Sequence, residues 1–161
     1  MMKQKKYKLF AMDVDGTMTD GKIYMSSQGE VYKAFNVKDG LGIKEILPQL
    51  GMQAAIITGR QSSIVEKRAE ELNVRLLYQG IKNKVECLEK IAENEGITWN
   101  EIVYVGDDIN DLKCIEKVGL SACPQDACEQ VKSSVSYVSD YKGGDGAVRQ
   151  VIEYIMREND L

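Results

Sequence analysis

Short, unbroken apolar runs alternate along this chain with longer stretches in which apolar residues recur every three or four positions. Residues 8–14, carrying Leu9, Phe10, Ala11, Met12 and Val14, are too few for a helix and read as a buried strand. Residues 54–57, 74–78 and 102–105 read the same way, and weaker strands fall at 120–122 and 136–138. Between them the spacing is helical. Over 61–73 the apolar positions are Ile64, Val65, Ala69 and Leu72, with Ser63 and Glu66 placed as a capping box. Over 83–95, Asn83 is the expected cap, Val85, Leu88, Ile91 and Ala92 face inward, and Gly96 stops the helix. Residues 147–157 put Val148, Val151, Ile152 and Ile155 on one face. Shorter helices are expected at 40–50, where Pro48 weakens the last turn, and at 111–117, closed by Gly119. Residues 22–35 read as a hairpin turning at Ser27-Gln28-Gly29. The alternation predicts an α/β fold: one domain over 1–161, a Rossmann-like parallel sheet with helices on both faces, and a protruding β-hairpin.

In such a sheet, ligands bind where strands end at their carboxyl side. The first strand ends in Asp13-Val14-Asp15-Gly16-Thr17, two carboxylates that need a cation if they converge. Residues 54–57 run into Thr58-Gly59-Arg60 and a helix N-terminus, a plausible anion site. Residues 102–105 run into Gly106-Asp107-Asp108-Ile109-Asn110-Asp111; helix capping explains one of these carboxylates, and a divalent cation explains the group. Lys84, at a helix start, is opposed by the helix dipole and would be offset by a carboxylate or phosphate. Taken singly, each feature also reads as an ordinary turn or a surface residue.

Composition narrows the chemistry. The chain has no histidine, so triads and imidazole metal sites are excluded and a metal must be held by oxygen, which suits Mg2+. The net charge of −4 argues against nucleic acid as a partner. Lys3, Lys5, Lys6 and Lys8 precede an apolar run too short for a signal peptide or a membrane span, so a cytoplasmic protein is expected. Cys87, Cys114, Cys123 and Cys128 have no CxxC spacing and read as reduced, mostly buried thiols.

Together, DxDGT, TGR, a lysine at a helix start and GDDxND, in this order and on these elements, resemble the haloacid dehalogenase superfamily of phosphotransferases. The resemblance implies that Asp13 is the nucleophile that becomes a phospho-aspartate and that Asp15 is the general acid/base. It also implies that Thr58 and Lys84 hold phosphate oxygens. Mg2+ would be held by Asp13, the Asp15 backbone carbonyl and Asp107, supported by Asp108 and Asp111.

Neither gap between these motifs has room for the cap domain many superfamily members carry. The segments DVDGTMTDGKIYMSSQGE, KAFNVKDGLGI, AIITGR, LYQGIKNK, YVGDD, EKVGLS and GGDGAVRQV resemble, more narrowly, the phosphatases of 3-deoxy-D-manno-octulosonate 8-phosphate and of related nine-carbon sugar acids. That resemblance implies a homotetramer in which the hairpin packs on partner subunits. The glycine-rich segment (Gly143, Gly144 and Gly146) would reach a neighbouring site and line the substrate. Arg60 would meet the substrate carboxylate beside Gly59, with Lys38 or Arg68 as further cations. A departure from the pattern is Asp126-Ala127-Cys128, where such proteins often carry a histidine. A 9-phosphorylated nonulosonate is the alternative substrate. A phospho-accepting receiver domain fits poorly, because its acceptor follows the third strand, and an idle scaffold is disfavoured by the intact acidic clusters.

Overall fold

The computed structural model describes residues 6–159; the expected basic residues Lys3 and Lys5 lie outside that range. Six parallel strands form the central sheet: β1 (Leu9–Met12), β4 (Gln53–Ile57), β5 (Leu76–Tyr78), β6 (Ile102–Val105), β7 (Leu120–Cys123) and β8 (Tyr137–Val138), in the spatial order β5-β4-β1-β6-β7-β8. From β1 the chain moves outward through β4 to β5, then crosses back to β6 on the other side. The carboxyl end of β1 is therefore the switch point of the sheet, flanked by the ends of β4 and β6.

The run 9–12 is apolar at every position because both faces of β1 are covered. Phe10 and Met12 point into one core, with Val65, Ala69 and Leu72 of α3 (Ser63–Glu71) and Val148, Val151, Ile152 and Ile155 of α7 (Ala147–Glu158). Leu9 and Ala11 point into the other, with Leu88, Ile91 and Ala92 of α4 (Lys84–Glu95). Cys114 and Ile115 of α5 (Leu112–Ile115) and Val131 of α6 (Glu129–Lys132) complete that layer. All four cysteines are free thiols.

Several boundaries depart from expectation for local physical reasons. The helix expected at 40–50 begins earlier, as α1 (Val37–Leu41) under an Asn36 cap. It passes through a π-helical turn at Gly42–Ile46 and ends as α2 (Leu47–Gln49), with Pro48 tolerated in a first turn. The Ser63/Glu66 capping box does not form. Ser62 is the cap residue and its hydroxyl donates to Glu30, while Glu66 accepts from Gln61 and Gln79. The helix α6 was not visible as a pattern.

The hairpin comprises β2 (Tyr24–Ser26) and β3 (Gly29–Tyr32), a separate two-stranded sheet with Tyr24 stacked on Tyr32 at 4.4 Å between ring centroids. It leaves Ile23, Met25, Val31 and Tyr32 exposed. No described helix is long and apolar enough to cross a membrane.

Candidate active site

Asp13 continues the ladder of β1, its backbone N–H donating to Val105 O at 3.0 Å, so it stands at the switch point and is buried. Val14 turns back into the core, and its carbonyl accepts from the N–H groups of Thr17, Met18 and Thr19, closing the chain into a tight turn. Gly16 occupies that turn at φ +88°. A Cβ there would lie 2.0 Å from Asp107 Oδ2, so only glycine lets the two acidic loops approach. The Thr17 hydroxyl donates to Asp107 Oδ1 at 3.0 Å and fixes its rotamer.

Asp107, Asp108 and Asp111 follow β6 and share one residue type, but burial separates them. Asp111 is fully buried. Its Oδ1 accepts from Lys84 Nζ at 2.9 Å and Tyr104 OH at 2.6 Å, and its Oδ2 from the backbone N–H groups of Asp107 and Asp108. Asp108 is exposed and caps the 3-10 turn Ile109–Asp111 by accepting from its own neighbour Ile109; it is not brought into the cluster. Tyr104 carries no signal in the sequence, where it reads as one more apolar strand residue.

Lys84 opens α4 and is buried, its Nζ 2.9 Å from both Asp13 Oδ1 and Asp111 Oδ1. Burial alone would lower its pKa, but the two carboxylates outweigh that and raise it. They also offset the unfavourable dipole at the helix start.

Asp13, Asp107 and Asp111 each offer an oxygen within 4.8 Å of the others. One ammonium faces three carboxylates, so the site lacks positive charge. Burial and the Asp13 charge accordingly push Asp107 up to about 8, and burial and Asp111 raise Asp13. An all-oxygen, electron-rich, poorly compensated cluster fits a hard divalent cation such as Mg2+. With Asp111 committed to Lys84, Tyr104 and the backbone, Asp13 and Asp107 are the members of the cluster with oxygens left to offer a cation.

The remaining predicted residues fall as follows. The Asp15 side chain does not join the cluster; its carboxylate pairs with Lys33 of the hairpin arm, a residue the sequence did not single out. Thr58 is buried at the end of β4, with Gly59 and Arg60 exposed beyond it. Gly143 and Gly144 lie against the chain's own β1 loop. A Cβ on Gly143 would meet Gly16 O at 2.0 Å, and Gly144 N–H donates to Thr17 O at 3.3 Å. Arg68 is spent structurally, over the Phe35 ring and paired with Glu71, and Lys38 is exposed, its carbonyl accepting from Arg149. A surface cavity of about 480 Å3 beside the first turn of α4, lined by Tyr78, Ile81, Asn83 and Cys87, holds none of the acidic cluster.

A model of haloacid dehalogenase-like hydrolases matches residues 77–152. The chain is 42% identical over 156 residues to the 3-deoxy-D-manno-octulosonate 8-phosphate phosphatase of Escherichia coli strain B, spanning 97% of this chain and 82% of that protein. The crystal structure of the Yersinia pestis phosphatase of the same name superimposes with a TM-score of 0.93 at 40% identity, over 97% of this chain and 84% of that one. The Moraxella catarrhalis phosphatase, solved with a magnesium ion, a phosphate ion and a KDO molecule, superimposes with a TM-score of 0.91 at 42% identity, over 95% and 87% of the two chains.

Proposed function

Because the chain belongs to the 3-deoxy-D-manno-octulosonate 8-phosphate phosphatases, within the haloacid dehalogenase-like hydrolases, we propose that it is a Mg2+-dependent phosphatase of that sugar-acid phosphate, working through a phospho-aspartate on Asp13. The observation that carries this is the convergence of Asp13, Asp107 and Asp111 at the switch point, with Lys84 holding one Asp13 oxygen.

When bound, Mg2+ neutralises phosphate and carboxylate charge so that one anion can approach another. The Asp13 carboxylate attacks phosphorus, the ester P–O bond breaks, and the leaving alkoxide takes a proton from Asp15. The Asp15 carboxylate then takes a proton from water, whose oxygen attacks phosphorus and breaks the bond to Asp13. Thr58, Gly59 and Lys84 hold phosphate oxygens, and Arg60, exposed beside them, meets the sugar carboxylate. Gly143 and Gly144 bring the last loop against the turn that carries Asp15.

Among the described residues, no separate domain covers the site. The apolar hairpin surface supports a homotetramer in which neighbouring subunits close the sites, and the free thiols suit the cytoplasm.

Phosphate release from the eight-carbon acid 8-phosphate and from nine-carbon acid 9-phosphates tests the reading. The eight-carbon ester should give the higher kcat/KM; a preference for a nonulosonate ester would reassign the substrate. Asp13→Asn should stay folded by circular dichroism and release no phosphate, and measurable turnover in that variant would refute the phospho-aspartate.

A further inference from the structure

The β1 loop carries two carboxylates two residues apart, yet only Asp13 enters the acidic cluster. The cause lies in the hairpin. Lys33 follows β3, its side chain is only 2% exposed, and its ammonium meets both Asp15 Oδ1 and, at 2.9 Å, Glu30 Oε2. Glu30 is held in turn by the Ser62 hydroxyl, which donates to its Oε1 at 2.6 Å, and Ser62 N–H donates to Gln79 Oε1 at 2.9 Å. Lys33 is thus the end of a fixed chain of contacts running from the start of α3, through the hairpin, to Asp15. A buried lysine tied at two points has surrendered its rotamer freedom, and a solvation role would not require that.

We propose that Lys33 is a positioning residue for proton transfer at Asp15: it draws that carboxylate out of the acidic cluster and holds it on the hairpin side, separating it from Asp13. The two carboxylates of one loop are thereby assigned to two cations, Asp13 to Lys84 and Asp15 to Lys33, and so to two tasks. The inference rests on the phosphatase reading above and adds to it the part played by the hairpin.

The test compares two esters in the Mg2+-loaded protein. A sugar-acid phosphate has an alkoxide leaving group that needs the Asp15 proton. p-Nitrophenyl phosphate has a phenolate that leaves without one, although water attack on the phospho-enzyme still needs Asp15. Lys33→Met should lower kcat for the sugar-acid ester by about 10²-fold with little change in KM, in line with the usual size of general acid–base catalysis. With p-nitrophenyl phosphate the first turnover should keep its native rate and an amplitude equal to the enzyme present, followed by a slowed steady state. Lys33→Arg keeps the charge and the hairpin's docking, and should show the same split at about a tenth of the size. A common factor lost from the first turnover of both esters, or no change in either, in any folded variant, overturns the proposal. If the native protein hydrolyses neither ester, the phosphatase reading itself has failed and takes this inference with it.

Discussion

At the scale of single residues, the site depends on a carboxylate whose two oxygens are both spent within the protein. Asp111 accepts four hydrogen bonds while fully buried, and through them it holds Lys84 and the backbone of the Asp107 loop in place. Asp111→Asn turns one of the two accepting oxygens into an NH2 that faces donors it cannot accept from, and leaves Lys84 with less counter-charge. Lys84 keeps Asp13 as counter-charge, so the expected loss of unfolding free energy is that of buried donors left without an acceptor, about 1–3 kcal/mol, read from urea denaturation without metal. Calorimetric Mg2+ affinity should fall about 10–100-fold, as for a residue that orients ligands. Unchanged stability and affinity would show that the four bonds are incidental. The sequence displayed the acidic cluster, because residue type at a strand end is enough to suggest chemistry. The resemblance set Asp107 apart, but nothing in the sequence sorted Asp108 from Asp111, because that depends on which side chain the β6 loop buries. Nor could it show Lys33 or Tyr104, whose partners lie in distant segments.

Among the elements, strands were the most legible: 102–105 emerged as read, and the strand read over 8–14 kept its inner run 9–12, because burial on both sheet faces leaves an uninterrupted apolar run, while Val14 was lost to the tight turn it closes. Helix starts were less so, since caps can come from elsewhere in the chain. The N-terminus of α7 has no side-chain cap of its own; Asp39 of α1 supplies one across the fold, its Oδ1 accepting from Arg149 N–H at 2.9 Å while Oδ2 is buried without a partner. Burial pushes Asp39 up to about 6, against bonds from the helix N-terminus that favour the charged form. The folded protein therefore keeps a proton that the unfolded chain, at an ordinary 3.8, has already lost. Stability from this group is full below about pH 4 and is lost as pH rises through about 6. Asp39→Asn keeps the accepting oxygen and removes the charge. Relative to the native protein, the variant should gain about 2–3 kcal/mol between pH 4 and pH 7, read as a difference of urea midpoints at each pH. A difference that does not vary with pH would rule out Asp39 as a strained charge.

For the molecule as a whole, what matters is that no separate domain among the described residues covers the acidic site, while an apolar surface stands bare. Ile23, Met25, Val31 and Tyr32 lie on one small hairpin, and Met25 and Val31 are 65% and 52% exposed. Such a surface on a two-stranded sheet, which cannot be stable by itself, calls for a second surface. The hairpin also carries Lys33, so whatever covers it steadies the residue that holds Asp15. Replacing Met25 by Lys and Val31 by Glu should convert the proposed homotetramer into monomers of about 18.0 kDa by light scattering. The fold should barely change, because both side chains already face water. If neighbours close the site, the monomer should lose most of its kcat/KM for the sugar-acid ester and keep most of its activity toward p-nitrophenyl phosphate, which does not need the sugar contacts. If both activities survive dissociation, the open site works unaided and the assembly serves stability alone. If the native chain is itself a monomer, closure by a neighbour is excluded and the exposed hairpin must meet a different partner.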